Sequence, residues 1–254
     1  MRLVRVARPD GPAFGLVRDD LVILLDGHPF APFELTDQVA PLDRVRLLAP
    51  VLPSKVLCVG RNYLKHAAEL GNEVPAEPLI FLKPATSVIG PGEQIRLPAL
   101  SDDVQHEAEL AVVIGRLTRK VAVEEALGAV LGYTCANDVT ARDLQRGDGQ
   151  WTRGKGFDTF CPLGPWIETE LDPAAGLAVR CTVDGDVRQN GSTADLLFDV
   201  AQLVAYCAAF TTLLPGDVLL TGTPAGVGPL RDGNQVSVSV EGIGELTNPV
   251  VADT

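Results

Sequence analysis

The stretch His106-Glu107-Ala108-Glu109-Leu110-Ala111-Val112-Val113-Ile114-Gly115 sets two carboxylates at the head of an apolar run. The run predicts a buried strand over residues 107–114. Side chains at i and i+2 of a strand point the same way. Glu107 and Glu109 therefore project together, beside an interior that does not welcome charge. Two parallel carboxylates repel, and the simplest partner between them is a hard divalent cation. The plain alternative is a solvated strand end.

Outward from this strand, short extended runs dominate. They fall at residues 56–59, 79–82, 131–136, 218–221 and 235–240, with a hairpin over 178–188 turning at Asp184-Gly185. Helices are expected at 63–70, capped by Asn62 and stopped by Gly71, at 123–130, and at 196–210. Residues 3–7, 14–17 and 21–25 read as strands of a small β-rich module, followed by a proline-punctuated stretch up to Pro53. Many strands with few helices predict a mainly β (α+β) fold, without a repeating βαβ pattern. We divide the chain into a small N-terminal domain, 1–52, and a catalytic domain, 53–254.

The 254 residues are 46% apolar and 21% charged, which describes a globular chain. A net charge of −12 without a basic cluster argues against nucleic acid and anionic membrane surfaces as partners. Five scattered cysteines without a C-x-x-C pair point to a reducing compartment. The first residues lack a signal-peptide core and no run is long enough to span a bilayer, so a cytoplasmic location is expected.

Several other residues could carry chemistry. Asp138, at the exit of the 131–136 strand, would complete a three-carboxylate site for Mg²⁺ or Mn²⁺; alone it equally fits a turn or cap. His66 and Glu69 share a helix face at i and i+3, and a carboxylate beside an imidazole suits a general base. The alternative is an exposed pair of little worth. His106, next to the acids, fits a supporting place better than a ligand. Lys155, between Gly154 and Gly156, could hold a carboxylate or stabilise an enolate, or sit on an ordinary flexible loop. Arg142 and Gln145 follow Asp138 by one and two turns and could reach the same pocket. The loop 221–228, glycine-rich and containing Thr223, could bind an anion through free N–H groups but lacks a P-loop ending. Gln189-Asn190 could reach the site or simply end a hairpin.

In order and spacing these motifs resemble the fumarylacetoacetate hydrolase family. The segments that carry the resemblance are Gly60-Arg61-Asn62-Tyr63 with His66 and Glu69, Phe81-Leu82-Lys83-Pro84, His106-Glu107-Ala108-Glu109-Leu110, Asn137-Asp138-Val139-Thr140-Ala141-Arg142-Asp143, Lys155-Gly156-Phe157-Asp158 and Thr221-Gly222-Thr223-Pro224. The resemblance covers about residues 52–251, and residues 1–50 resemble a small N-terminal domain of bacterial members. It implies a mixed β-sandwich roll, a homodimer, and Mg²⁺ or Mn²⁺ on Glu107, Glu109 and Asp138. It further implies a water-activating His66–Glu69 dyad on a lid, a charge-stabilising Lys155, and substrate contacts from Arg142, Gln145 and Thr223, with Lys83 nearby. Val59 stands where the longer founding member has a further acidic ligand, which places this chain with the shorter three-carboxylate branch.

That branch implies a metal-dependent enzyme acting on small 2-oxo or enol (di)carboxylic acids through a chelated enolate. The reaction would be isomerisation of hydroxymuconate-type diacids, decarboxylation of oxaloacetate, or C–C hydrolysis of acylpyruvates. A non-catalytic, metal-dependent binder of oxo-diacids is the rival from another class. His66, Glu69 and Lys155 together argue against it, because a binder needs no base.

Overall fold

Apolar side chains on both faces place the strand Ala108–Ile114 at the centre of the molecule, where every residue is buried. The structure is a computed structural model and describes all residues except Leu70, Asn72 and Thr254. The central strand pairs antiparallel with Val130–Asn137 on one side and with Val218–Leu220 on the other. From there the large sheet continues through Val56–Gly60 to an edge at Leu79–Lys83. In the other direction it runs through Cys161–Glu168 to Arg2–Val6, Ala13–Arg18, Leu21–Asp26 and Glu34–Pro41. The N-terminal strands therefore extend the same sheet, with Leu3 opposite Ile167.

A second sheet orders Asp186–Ser192, Ala178–Val183, Gln235–Val240, Gly244–Ala252 and Ile95–Leu97. Alternation along the central strand divides the core. Leu110 and Val112 join Val179, Val238 and Leu246 of the second sheet, while Ala111 and Val113 join Leu3, Val56 and Leu163 on the opposite face. The result is the mainly β, mixed-sheet architecture expected from the run pattern.

Local differences have local causes. Glu107 lies outside the ladder, between Val104–His106 and Ala108–Ile114. Its amide donates to Asn137 Oδ1 (3.0 Å) and its carbonyl accepts from the Asp138 amide (2.8 Å). The helix expected from residue 196 is Val200–Phe210, because Asp199 and Gln202 form a capping box at its start. The expected 123–130 helix is one turn, Val123–Ala126, and a 3-10 turn before the strand at Val130. The helix after Asn62 spans Leu64–Glu69, and the expected last residue, Leu70, lies outside the described residues. Lys155 ends a short helix, Thr152–Lys155, and is buried rather than on a flexible loop.

Strand direction gathers the polar residues. Val56–Gly60 runs parallel to Val218–Leu220, and both run opposite to the central strand, as does Val130–Asn137. The exits of these three strands therefore meet the entry of the central one at a single sheet edge.

Candidate metal centre and active site

That edge holds a cavity of about 390 Å³. Glu107, Glu109, Asp138, His66, Lys155, Arg142, Gln145 and Thr223 all line it. Residues as far apart as 66 and 223 in sequence are thus brought to one site. Glu107, Glu109 and Asp138 each offer a carboxylate oxygen, and these oxygens lie within 4.8 Å of one another in a fully buried setting.

Each acid is held differently. Arg142 Nη2 donates to Glu107 Oε1 (2.5 Å) and Lys155 Nζ to Glu107 Oε2 (2.7 Å). Burial pushes the Glu107 carboxyl up, but Lys155 and Arg142 outweigh it and hold the group well below the usual range. Lys155 Nζ also donates to Asp138 Oδ2 (2.6 Å), and Lys83 Nζ to Asp138 Oδ1 (2.7 Å). Burial draws the Lys155 ammonium down, yet Asp138 and Glu107 together raise it. Among the described residues Glu109 has only the Gly222 amide, at 2.6 Å. Burial, then Asp138 and Glu107, push its carboxyl well above the ordinary value. A buried, hard-oxygen donor set with one acid lacking a cation fits a divalent metal.

The dyad is formed: His66 Nδ1 lies 3.2 Å from Glu69 Oε2. Glu69 is in turn held by the Gly226 amide (3.0 Å). The glycine-rich loop therefore spends the amides of Gly222 and Gly226 on the site's own carboxylates, which corrects its expected use for a free anion. Thr223 hydroxyl donates to the Ala108 carbonyl (2.8 Å). Arg142 Nη1 donates to Gln145 Oε1 (2.7 Å), fixing both on the helix Arg142–Asp148. Lys83 does not line the cavity. Its ammonium is fully buried behind Asp138 and also donates to the Val139 carbonyl (3.1 Å), so its position is behind the acid rather than on a ligand surface.

Asn62 does not cap the helix. Its side chain ties two loops, donating to the Thr221 (2.8 Å) and Phe198 (3.0 Å) carbonyls and accepting from the Phe198 amide (2.8 Å). Gln189 lies fully buried beneath the site, whereas Asn190 is exposed and pairs with Arg180. Gln189 Nε2 donates to Thr223 Oγ1 and the Pro224 carbonyl, both at 2.7 Å. Its Oε1 therefore accepts from His106 Nδ1 and the Ala108 amide, both at 3.0 Å. His106 thus supports the site from behind, and burial holds its pKa down. The apolar wall of Val59, Phe81 and Trp151 carried no chemical signal in sequence, apart from Val59 standing where an acid was absent.

Residues 55–251 match the model described as "Fumarylacetoacetate (FAA) hydrolase C-terminal", and residues 1–50 match "Rv2993c-like, N-terminal". The chain is 54% identical to 5-carboxymethyl-2-hydroxymuconate delta-isomerase from Mycobacterium smegmatis, over 100% of both chains, with a TM-score of 0.93. It is 45% identical to the mitochondrial oxaloacetate tautomerase FAHD2A of Homo sapiens, covering 84% of this chain and 72% of the relative. It is 33% identical to maleylpyruvate hydrolase from Sphingobium sp. SYK-6 in complex with manganese (II) ion and pyruvate, over 100% of both chains, with a TM-score of 0.83. The chain is an enzyme of the fumarylacetoacetate hydrolase family.

Proposed function

We propose that this chain is a divalent-metal-dependent isomerase of small 2-oxo or enol (di)carboxylic acids. The observation that carries this is a histidine–carboxylate dyad, His66 with Glu69, facing the same cavity as the buried triad Glu107, Glu109 and Asp138. The names borne by relatives at 54% and 45% identity favour proton transfer over bond cleavage.

Glu107, Glu109 and Asp138 would hold Mg²⁺ or Mn²⁺. The metal, when bound, supplies Lewis acidity toward a chelating 2-oxo acid. His66 donates Nδ1–H to Glu69, which leaves Nε2 free to take a proton from the substrate carbon and return it elsewhere. Lys155 Nζ offers a positive charge to the developing oxyanion. Arg142 and Gln145 orient the carboxylate, and Thr223 forms part of the wall. Lys83 is a positioning residue for Asp138. Lys83, Arg142 and Lys155 balance the three carboxylates, so a divalent ion leaves a positive surplus that suits an acidic substrate.

The test is exchange of the C3 hydrogens, and keto–enol conversion, of oxaloacetate and a hydroxymuconate diacid with Mg²⁺ or Mn²⁺. His66→Ala is expected to bind metal normally and lose roughly 10²–10⁴-fold in rate. Undiminished exchange in that variant removes His66 as the base. Metal-dependent binding of both acids without turnover in the parent chain would instead indicate a binding protein. The match to a maleylpyruvate hydrolase supports a second reading, C–C hydrolysis of acylpyruvates, which release of pyruvate would reveal. Decarboxylation of oxaloacetate would be separated from both by CO₂ release.

The same proposal includes a homodimer, a cytoplasmic location and the division at residues 52/53. The exposed Leu79 and Leu82 on the sheet's edge strand support pairing with a second copy. Five buried, free cysteines support a reducing compartment. The separate family matches to 1–50 and 55–251 support the division.

A further inference from the structure

Arg61 holds a backbone conformation that residues other than glycine seldom adopt, with φ of +59°. It is kept there by its neighbour. Asn62 is fixed by its three side-chain hydrogen bonds and by its carbonyl, which accepts from the Leu197 amide (2.9 Å). Strain of this kind persists only where the surroundings over-determine it, and it concentrates at functional sites.

The Arg61 guanidinium lies over the Trp151 ring, 5.9 Å from its centroid. Trp151 is pressed against the preceding residue: a methyl group on Gly60 would lie 2.6 Å from Trp151 Cζ3. The ring also meets Phe81 edge-on at 5.2 Å. Arg61 and both rings line the cavity.

Every other cation of this cavity has an acid. Arg142 pairs with Glu107, Lys155 with Glu107 and Asp138, His66 faces Glu69, and Arg146 faces Asp103 at 3.8 Å. Among the described residues Arg61 has no carboxylate and no side-chain hydrogen bond, and its Nε is shielded from solvent without a partner. Arg61 lines the cavity, and a guanidinium without a counter-ion there calls for an anionic group from the ligand. The strand that delivers Arg61 is two places from the central strand in the sheet, a separation of about 10 Å at ordinary strand spacing. The free charge is therefore set apart from the triad.

We propose that Arg61, stacked on Trp151, is the subsite for the second carboxylate of a 2-oxo dicarboxylate. It determines preference for diacids over monoacids of equal length. This rests on the proposal that the triad end of the cavity receives a 2-oxo acid. A planar, always-charged fork stacked on an aromatic face suits a carboxylate bidentately.

The test uses binding. Trp166→Phe leaves Trp151 as the single tryptophan, since the chain has two. Its fluorescence is followed as the Mg²⁺-loaded protein is titrated with 2-oxoglutarate and with 2-oxopentanoate, which lacks the second carboxylate. The diacid is expected to bind more tightly. Arg61→Gln should weaken the diacid by roughly ten- to a hundredfold and leave the monoacid within about twofold. If Arg61→Gln lacks a cooperative urea transition, Arg61→Lys replaces it, with an expected loss of about two- to tenfold for the diacid alone. A diacid preference that survives these substitutions overturns the subsite while leaving the proposed function intact, as does equal binding of the two acids by the parent. Failure of both acids to bind overturns the proposed function and the subsite with it.

Discussion

Replacing Gln189 with leucine removes a side chain that no substrate touches, yet its effect should be large. The carboxamide serves four groups, all buried: His106 Nδ1, the Ala108 amide, the Thr223 hydroxyl and the Pro224 carbonyl. In Gln189→Leu the hydroxyl keeps its bond to the Ala108 carbonyl. The His106 N–H, the Ala108 amide and the Pro224 carbonyl lose the partner they have. Each orphaned buried group costs about 1–3 kcal/mol, so the sum is about 3–6 kcal/mol after partial relaxation. For a chain of this size that lowers Tm by roughly 6–12 °C. Urea denaturation should show a lower midpoint with an unchanged slope. The lost bonds flank Glu107 and Glu109, so calorimetric Mn²⁺ affinity should fall by about 10–100-fold. A loss below about 1 kcal/mol, or undiminished metal affinity, refutes the role given to Gln189.

Two further outcomes follow from named contacts. Glu109→Gln keeps an oxygen for the Gly222 amide while removing a carboxyl that burial, Asp138 and Glu107 disfavour in its charged form, so the metal-free protein should be no less stable. The rise in Tm that metal gives the parent, worth about 2.7 kcal/mol at a hundredfold excess over Kd, should vanish in this variant. Gly226→Ala should cost about 2 kcal/mol or more by urea denaturation and reduce turnover. The position has φ of +101°, a Cβ there would lie 2.1 Å from the Arg188 carbonyl, and its amide holds Glu69.

Much of the sheet structure was legible because its strands are short apolar runs or strict apolar–polar alternations. Residues 56–59, 79–82 and 235–240 appear almost as expected. The strand Glu34–Pro41 was not legible, because it is a mostly exposed edge without an apolar face. The last strand, Gly244–Ala252, opens on Gly-Glu-Leu-Thr-Asn-Pro and reads as turn before it reads as strand. In the site, most residues with unusual chemistry could be located in sequence; the structure brings His66, Glu107, Glu109, Asp138, Arg142, Gln145, Lys155 and Thr223 to one cavity and places Lys83 behind it. Gln189 could be singled out but not separated from a plain hairpin end, and Trp151 carried no signal, because their roles depend on His106 and Phe81, far away in sequence. The glycine loop was misjudged for the same reason: its amides look free until Glu109 and Glu69 are seen beside them.

The meeting of three strand exits with one strand entry also governs when the site can come into being during folding. Its parts are spread from Arg61 to Gly226, and the bonds that close it join positions as distant as Asn62 and Thr221. Contacts of such range are paid for in loop-closure entropy and form late. A nascent chain that has emerged only as far as residue 200 already carries all three acids, but lacks the Gly222 amide that holds Glu109. If the triad takes a divalent metal as proposed, tight uptake is expected only after the central sheet has closed, and metal affinity would then report completion of the fold.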